Sequence, residues 1–294
     1  MAVATILSVL LTSGFVLCLL AIGLGWGPGI HIQLTQRILD QIRRRRDSRP
    51  EHRIVLAHTD AFFYGNIAAD IVNFKNYGGV KNHCHNWNIQ ERLQALAHTD
   101  LERAFILGYL CHLAADVIAH NHFIPYHFVC GLPPRFLGHA YWEALADAAV
   151  TDEEWEIVSD LRYDKDLHQN DRLIWNAVRR RVLGTRSNKW IFNNILLLNL
   201  RRSWRELIRL ARTRRARYPL DGEFFQHCLT RCLHDMMCVF ETERLSLLKV
   251  RDPTGREALR GARILRRDLR ITHDSVLSAR RASRRMAREA YWGF

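Results

Sequence analysis

Three side chains of the kinds that bind divalent metals recur at i, i+4 and i+8 within LGYLCHLAADVIAHNHFIPYH, residues 107–127: His112, Asp116 and His120. On a helix this spacing stacks all three on one face. Gly108, Leu110, Leu113, Ala114, Ala115, Val117 and Ile118 make the rest of the surface apolar. A carboxylate and two imidazoles are costly to bury among such residues unless something binds them. A divalent metal is the simplest compensation, and imidazole with carboxylate suits zinc. The stretch reads as one buried helix that starts near Asp100, as its cap, and ends near Pro125.

Further ligand types flank this helix. In GHAYWEALADA, His139 and Glu143 stand at i and i+4 and can chelate one ion from one helix face, with Asp147 a turn further on. Asp70 follows Ala68-Ala69 and precedes Ile71-Val72, so it is either a site carboxylate in an apolar setting or a helix cap. His83 and His85 alternate in KNHCHNWN after the Gly78-Gly79 turn, and both face one metal only in extended structure. His31 lies at the mouth of a helix spanning Gln33–Arg46, behind the turn WGPGIHI. The segment 54–75 reads as helix, turn and short helix, broken at Gly65.

At 294 residues the chain can bury a sizeable core. Nine of its 15 histidines precede residue 123, on the side where the ligand types gather. Its seven cysteines have no regular spacing, which argues against a disulfide framework and a cysteine zinc ribbon. The net charge of +13 is concentrated in residues 201–294, which hold 23 Arg and Lys against 11 Asp and Glu. Such a surface favours anionic lipid, nucleic acid or an acidic protein.

Residues 1–25 carry no charged side chain and are long enough to span a bilayer. They read as a signal or anchor segment, which places the protein at a membrane or outside the cell, with a buried N-terminal helix as the alternative. Residues 26–250 read as the helical metal-binding domain. Thr151-x-x-Glu154 opens one of its helices as a capping box, and Trp190–Leu210 is apolar enough to pack on the metal-bearing helices. His227, Cys228, Cys232 and His234 fall on different stripes and read as core and edge residues. After the turn at Asp252-Pro253-Thr254-Gly255, residues 251–294 read as a basic helical or partly disordered tail.

The ordered set of Gly-x-His-Ile (His31), Asp70, a histidine after a turn (His83 or His85), His-x-x-x-Asp-x-x-x-His (His112, Asp116, His120) and His-x-x-x-Glu (His139, Glu143) resembles the bacterial zinc-dependent phospholipase C family. The stretch HLAADVIAH is similar to one in the N-terminal domain of glycosylphosphatidylinositol-specific phospholipase D. The wider superfamily includes the S1/P1-type nucleases. The resemblance covers roughly residues 26–150.

That resemblance implies an all-α fold with two or three zinc ions in a cleft between helices. His83 or His85, with His112 and Asp116, would hold one ion; His120 or His122, with His139 and Glu143, a second; His31 and Asp116, a third. Trp26 would add its amine to the third ion if the chain is cut just before it. Of His120 and His122, the i+4 position of His120 keeps it on the ligand face. Asp70 would be the general base or water-orienting carboxylate. The implied reaction is attack of a metal-activated water on the phosphorus of a phospholipid. Nucleic acid is the less favoured substrate, and a non-catalytic membrane-associated protein with a structural metal cluster is a third reading. Acidic lipid suits the C-terminal basic segment. Nothing in the sequence sets an oligomeric state.

Overall fold

Thr99 starts the helix around which the other elements pack. Its hydroxyl accepts from the Glu102 amide at 3.2 Å, while the Glu102 carboxylate accepts from the amides of Thr99 at 3.1 Å and His98 at 2.8 Å. This reciprocal cap satisfies donors that a helix start leaves open. The cap is therefore Thr99, and Asp100, expected in that role, is the first helical residue. The computed structural model describes residues 26–45, 49–71, 84–133, 138–164, 166–178, 187, 190 and 218–294. Among them are helices and no strand, so the fold is all-α as expected.

In chain order the helices are α1 (Pro28–Arg45), α2 (Pro50–Ala57), α3 (Thr59–Ala68), α4 (Asn88–Leu96), α5 (Asp100–Ile118), α6 (Ile124–Val129), α7 (His139–Asp147), α8 (Asp152–Tyr163), α9 (Asp171–Ala177), α10 (Gly222–Cys238), α11 (Thr242–Leu248), α12 (Arg256–Ile271) and α13 (Val276–Tyr291). Residues 1–25, 191–210 and His83 lie outside the described residues, so the signal or anchor segment and most of the helix expected at Trp190–Leu210 lie outside them too. No helix among the described residues is long and apolar enough to cross a membrane.

Helix α5 is apolar on nearly every side, as befits a helix enclosed by others. It packs chiefly against α3 and α10. The α3 crossing is tight because glycines meet there. A Cβ on Gly108 would fall 2.1 Å from the Phe62 carbonyl oxygen, and one on Gly65 would fall 1.9 Å from that of Phe105. The break expected at Gly65 does not occur. Gly65 lies inside α3 and lets the two backbones touch.

Two further expectations need correcting. Helix α1 begins at Pro28, so His31 lies in its first turn and not in front of it. Proline suits this position because its missing N–H would be unpaired there anyway. At the other end of the site, the helical path does not stop near Pro125. Residues Ala119–Phe123 form a π-turn, and Pro125 falls in the first turn of α6, where its ring is tolerated.

The basic C-terminal segment is folded onto this framework. Arg270 donates to the Pro133 carbonyl at 3.2 Å, Arg266 bonds the same oxygen, and the Gly131 amide donates to Ser283 Oγ at 3.1 Å. These contacts fix α12 and α13 against the end of α6. The six cysteines among the described residues are all free.

Candidate metal centre

Asp116 is the hub. It is fully buried on α5, and imidazoles surround its carboxylate. His31 Nε2 lies 3.5 Å from Oδ1, while His85 Nε2, His112 Nε2 and His120 Nδ1 lie 3.1, 3.3 and 3.8 Å from Oδ2. Asp70 closes the far side, with Oδ1 3.2 Å from His85 Nε2 and 3.9 Å from His112 Nε2. Two sets, His31–Asp70–His112 and His85–His112–Asp116, have ligand atoms all within 4.8 Å of one another.

Each side chain arrives from a different element. His31 comes from the first turn of α1 and stacks on the His112 ring at 4.0 Å. Asp70 sits in the 3₁₀ turn Ala69–Ile71 at the end of α3, and the Gly65–Gly108 crossing brings that turn to His112. His85 lies in the turn before α4, beside the Cys84 carbonyl that accepts from buried Tyr109. His120 lies in the π-turn, one helical step beyond Asp116. His139 and Glu143 come from α7, with His139 Nε2 3.3 Å from Glu143 Oε1 and the His139 ring 5.0 Å from that of His120. These two join the cluster through His120 and form its outer part.

Main-chain carbonyls aim two of the rings. His112 Nδ1 lies 2.7 Å from the Asn66 oxygen, and His120 Nδ1 lies 2.6 Å from the Pro253 oxygen. A carbonyl only accepts, so each Nδ1 carries the proton and each Nε2 keeps its lone pair. Metal-binding histidines are commonly oriented in this way. Asn66 also donates through Nδ2 to Thr35 Oγ1 at 2.5 Å, and the Thr35 hydroxyl donates to the His31 carbonyl at 2.8 Å. One asparagine thus ties together the helices that carry His31 and His112.

The electrostatics favour a cation. Burial, then neighbouring His31, lowers His112 to about 4, so its imidazole is neutral near pH 7. Burial would raise Asp116, but His112 and His120 hold it well below the usual carboxylate range. Its Oδ2 makes no hydrogen bond despite the nitrogens around it, and neither ring nitrogen of His31 makes one. His85 Nε2 lies 2.8 Å from the His112 Nε2 lone pair, 3.1 Å from Asp116 Oδ2 and 3.2 Å from Asp70 Oδ1, three acceptors around a nitrogen that can carry only one proton. Buried acceptors converging in this way repel one another unless a positive charge lies among them. The residues therefore fit a metal, and the imidazole and carboxylate donors fit zinc.

Some ligand types do not join. His122 turns away and stacks on the ring of Phe294 at 3.7 Å. Asp147 accepts from the Ile30 amide at 3.0 Å and so braces the start of α1. The Trp26 amide donates to Asp116 Oδ1 at 3.2 Å, and its indole is fully buried. His227 lies against Phe294, Cys228 and Cys232 are buried, and His234 pairs with Asp235.

With this geometry established, residues 30–193 match the family model for zinc-dependent phospholipase C, more than half of the chain. The chain belongs to the zinc-dependent phospholipase C family. No curated protein and no solved structure matches it. The family is one of metal-binding hydrolases of phospholipase C type, and the matched span supplies every member of the cluster. Three supports were not visible in the sequence: the Asn66 carbonyl, the Thr35 hydroxyl and the Pro253 carbonyl, which lies outside the matched span. Two of the three are main-chain oxygens, about which side-chain type says nothing.

Proposed function

We propose that this protein is a zinc-dependent phosphodiester hydrolase of phospholipase C type, acting on phospholipid. The observation that carries the reading is the convergence of four imidazoles on one fully buried carboxylate, Asp116, with Asp70 against two of them. His85, His112 and Asp116 would hold one ion, with Asp70 beside them; His120, His139 and Glu143 a second; His31 and Asp116 a third. His83, the alternative to His85, lies outside the described residues. Removal of residues 1–25 would leave the Trp26 amine beside Asp116 as a further ligand to the third. Zinc bound there would supply Lewis acidity towards phosphoryl oxygens and an acidified water.

The chain's own residues supply the rest. Asp70 orients the attacking water and takes its proton. The His139 side chain is 17% exposed, whereas Asp116 and His112 are fully enclosed. Substrate therefore approaches past α7. The arginines of α12 and α13 suit an acidic lipid surface. An exported or membrane-associated location fits a lipid substrate and the apolar residues 1–25.

Elemental analysis of the purified protein, followed by assays on phosphatidylcholine and on a single-stranded DNA oligonucleotide, tests the reading. Two or three zinc ions per chain are expected. Diacylglycerol and phosphocholine should be released, and Asp116→Asn or a chelator should stop the release. Oligonucleotide cleavage without lipid hydrolysis would transfer the site to nuclease chemistry. A zinc-loaded protein that hydrolyses neither substrate would leave a structural cluster, and a folded protein without zinc would overturn the proposal.

A further inference from the structure

A cavity of about 530 Å³ opens where α6, α7 and α13 meet. None of its lining residues belongs to the metal cluster. Arg280, Arg284 and Arg288 of α13 line it at i, i+4 and i+8, and Arg285 adds a fourth guanidinium. Like charges one turn apart on a helix repel, so such a stripe is unfavourable in a chain with nothing to bind there.

Arg288 is partly compensated, by the Trp292 ring 4.7 Å below its guanidinium and by Tyr126 and Asp221, but the other three arginines have little. Asp221 is the carboxylate on the lining, and it is already engaged by the Tyr126 hydroxyl at 2.6 Å and the Phe224 amide at 3.2 Å. Arg288 lies 3.9 Å from Glu223 and Arg285 lies 3.7 Å from Glu289, but both partners are exposed surface carboxylates. Pairs of that kind contribute little. Arg280 reaches the Tyr218 hydroxyl through Nη2 at 3.3 Å, and its buried Nε has no hydrogen-bond partner.

One further buried donor belongs to a lining residue: Trp142 is 2% exposed, and its Nε1 has no hydrogen-bond partner. His127 adds no donor, because its Nδ1 carries the proton towards the Phe123 carbonyl at 2.8 Å and its Nε2 keeps a lone pair. An orphaned indole N–H deep in a protein is costly, and it is a donor that only an acceptor can satisfy. Four guanidiniums and an unpartnered indole donor among the lining residues match an oxyanion with several acceptor oxygens.

We propose that this cavity is a second anion site, distinct from the metal centre, that takes a phosphate monoester. A doubly charged phosphate is preferred to a carboxylate because it offers more acceptor oxygens and more charge to the four guanidiniums. The size is that of a small-ligand site. The site does not depend on the hydrolytic reading of the metal centre.

The test is calorimetric titration of the intact, zinc-loaded protein with inorganic phosphate. Phosphate also has affinity for zinc, so two variants separate the sites. Arg280→Gln combined with Arg284→Gln should weaken one phosphate equivalent by roughly tenfold or more. His139→Ala should leave that equivalent in place. Should the glutamine pair fail to fold, Arg284→Gln alone, at an exposed position, carries the same test. Sedimentation with vesicles identifies the source of the phosphate. Binding that requires phosphatidic acid in phosphatidylcholine vesicles, and is lost in the arginine variant, marks a lipid head group. Phosphate binding with no gain on those vesicles marks a soluble phosphate ester. Binding that is unchanged in the arginine variant, or that disappears only with His139→Ala, overturns the proposal.

Discussion

Gly65 and Gly108 face each other across the α3–α5 crossing, and a Cβ on Gly108 would lie 3.1 Å from the Gly65 Cα. The contact sets the distance between two site residues. Asp70 ends the run that follows Gly65, and His112 stands one turn after Gly108, so the backbone separation at the glycines fixes how closely carboxylate and imidazole approach. Gly108→Ala places a methyl group 2.1 Å from the Phe62 carbonyl, which is main chain and cannot swing aside. The helices must then separate. The expected cost is about 1–3 kcal/mol of stability, typical of overpacking. Denaturant unfolding measures the loss, and zinc content in the same variant should fall because Asp70 withdraws from His112.

Asp116→Asn keeps the shape of the hub and removes its charge. Every imidazole of the inner cluster faces that carboxylate, so no ion of the proposed set that uses Asp116 survives unchanged. Elemental analysis should show most of the zinc lost, with at most the ion at His120, His139 and Glu143 retained. Retention of full zinc content would show that Asp116 is a bystander, and the ligand sets would need redrawing around Asp70.

The stripe of His112, Asp116 and His120 was legible in the sequence because helical spacing alone puts those residues on one face, and the apolar residues between them signalled burial. His139 and Glu143 were legible for the same reason. The all-α fold was implied by the family resemblance that these ligand-bearing segments carry. What the sequence did not reveal is what tertiary contact decides. Gly65 looks like a helix breaker locally, yet it is a contact point for a partner more than 40 residues away. Pro125 looks like a terminator, but the π-turn before it changes the register in which its ring must fit. Asp147 matches the ligand stripe of α7 and is instead consumed by the Ile30 amide, a partner that only the packing of α1 on α7 supplies.

The Glu102 cap gives the central helix a dependence on acid. Burial works against its charge, but the His98 and Thr99 amides and the Arg172 guanidinium, 2.5 Å away, hold its carboxyl down at about 2, below the ordinary 4.5. A carboxyl with a depressed folded pKa contributes stability that is fully present above its unfolded value and is lost as pH falls through the folded one. The contribution of Glu102 should therefore be complete above about pH 4.5 and fade towards pH 2. Glu102→Gln should cost about 1–2 kcal/mol at neutral pH, the range for loss of a helix cap and its charged hydrogen bonds. Unfolding curves for the two proteins should converge as the pH is lowered across that window. A constant gap at all pH values would mean that the side chain acts by packing alone.

Gly255 links the C-terminal segment to the metal centre. Its backbone is left-handed, with φ of +56°, and a Cβ there would lie 2.3 Å from the His120 carbonyl oxygen. The turn it completes delivers the Pro253 oxygen to His120 Nδ1, and Asn121 Nδ2 bonds the neighbouring Asp252 oxygen at 2.7 Å. Gly255→Ala is disfavoured twice, by the left-handed conformation and by the closeness of the main chain of residue 120. The loop must retreat, and His120 loses the acceptor that fixes its tautomer. Loss of such an orienting partner typically lowers metal affinity by about 10–100-fold. The expected result is weaker zinc binding at the outer group of His120, His139 and Glu143, with the inner ions held as before. A competitive chelator titration would resolve it as one zinc equivalent released early. If all equivalents leave together, the loop supports the whole cluster through α5. If none is weakened, the Pro253 carbonyl does not orient a ligand.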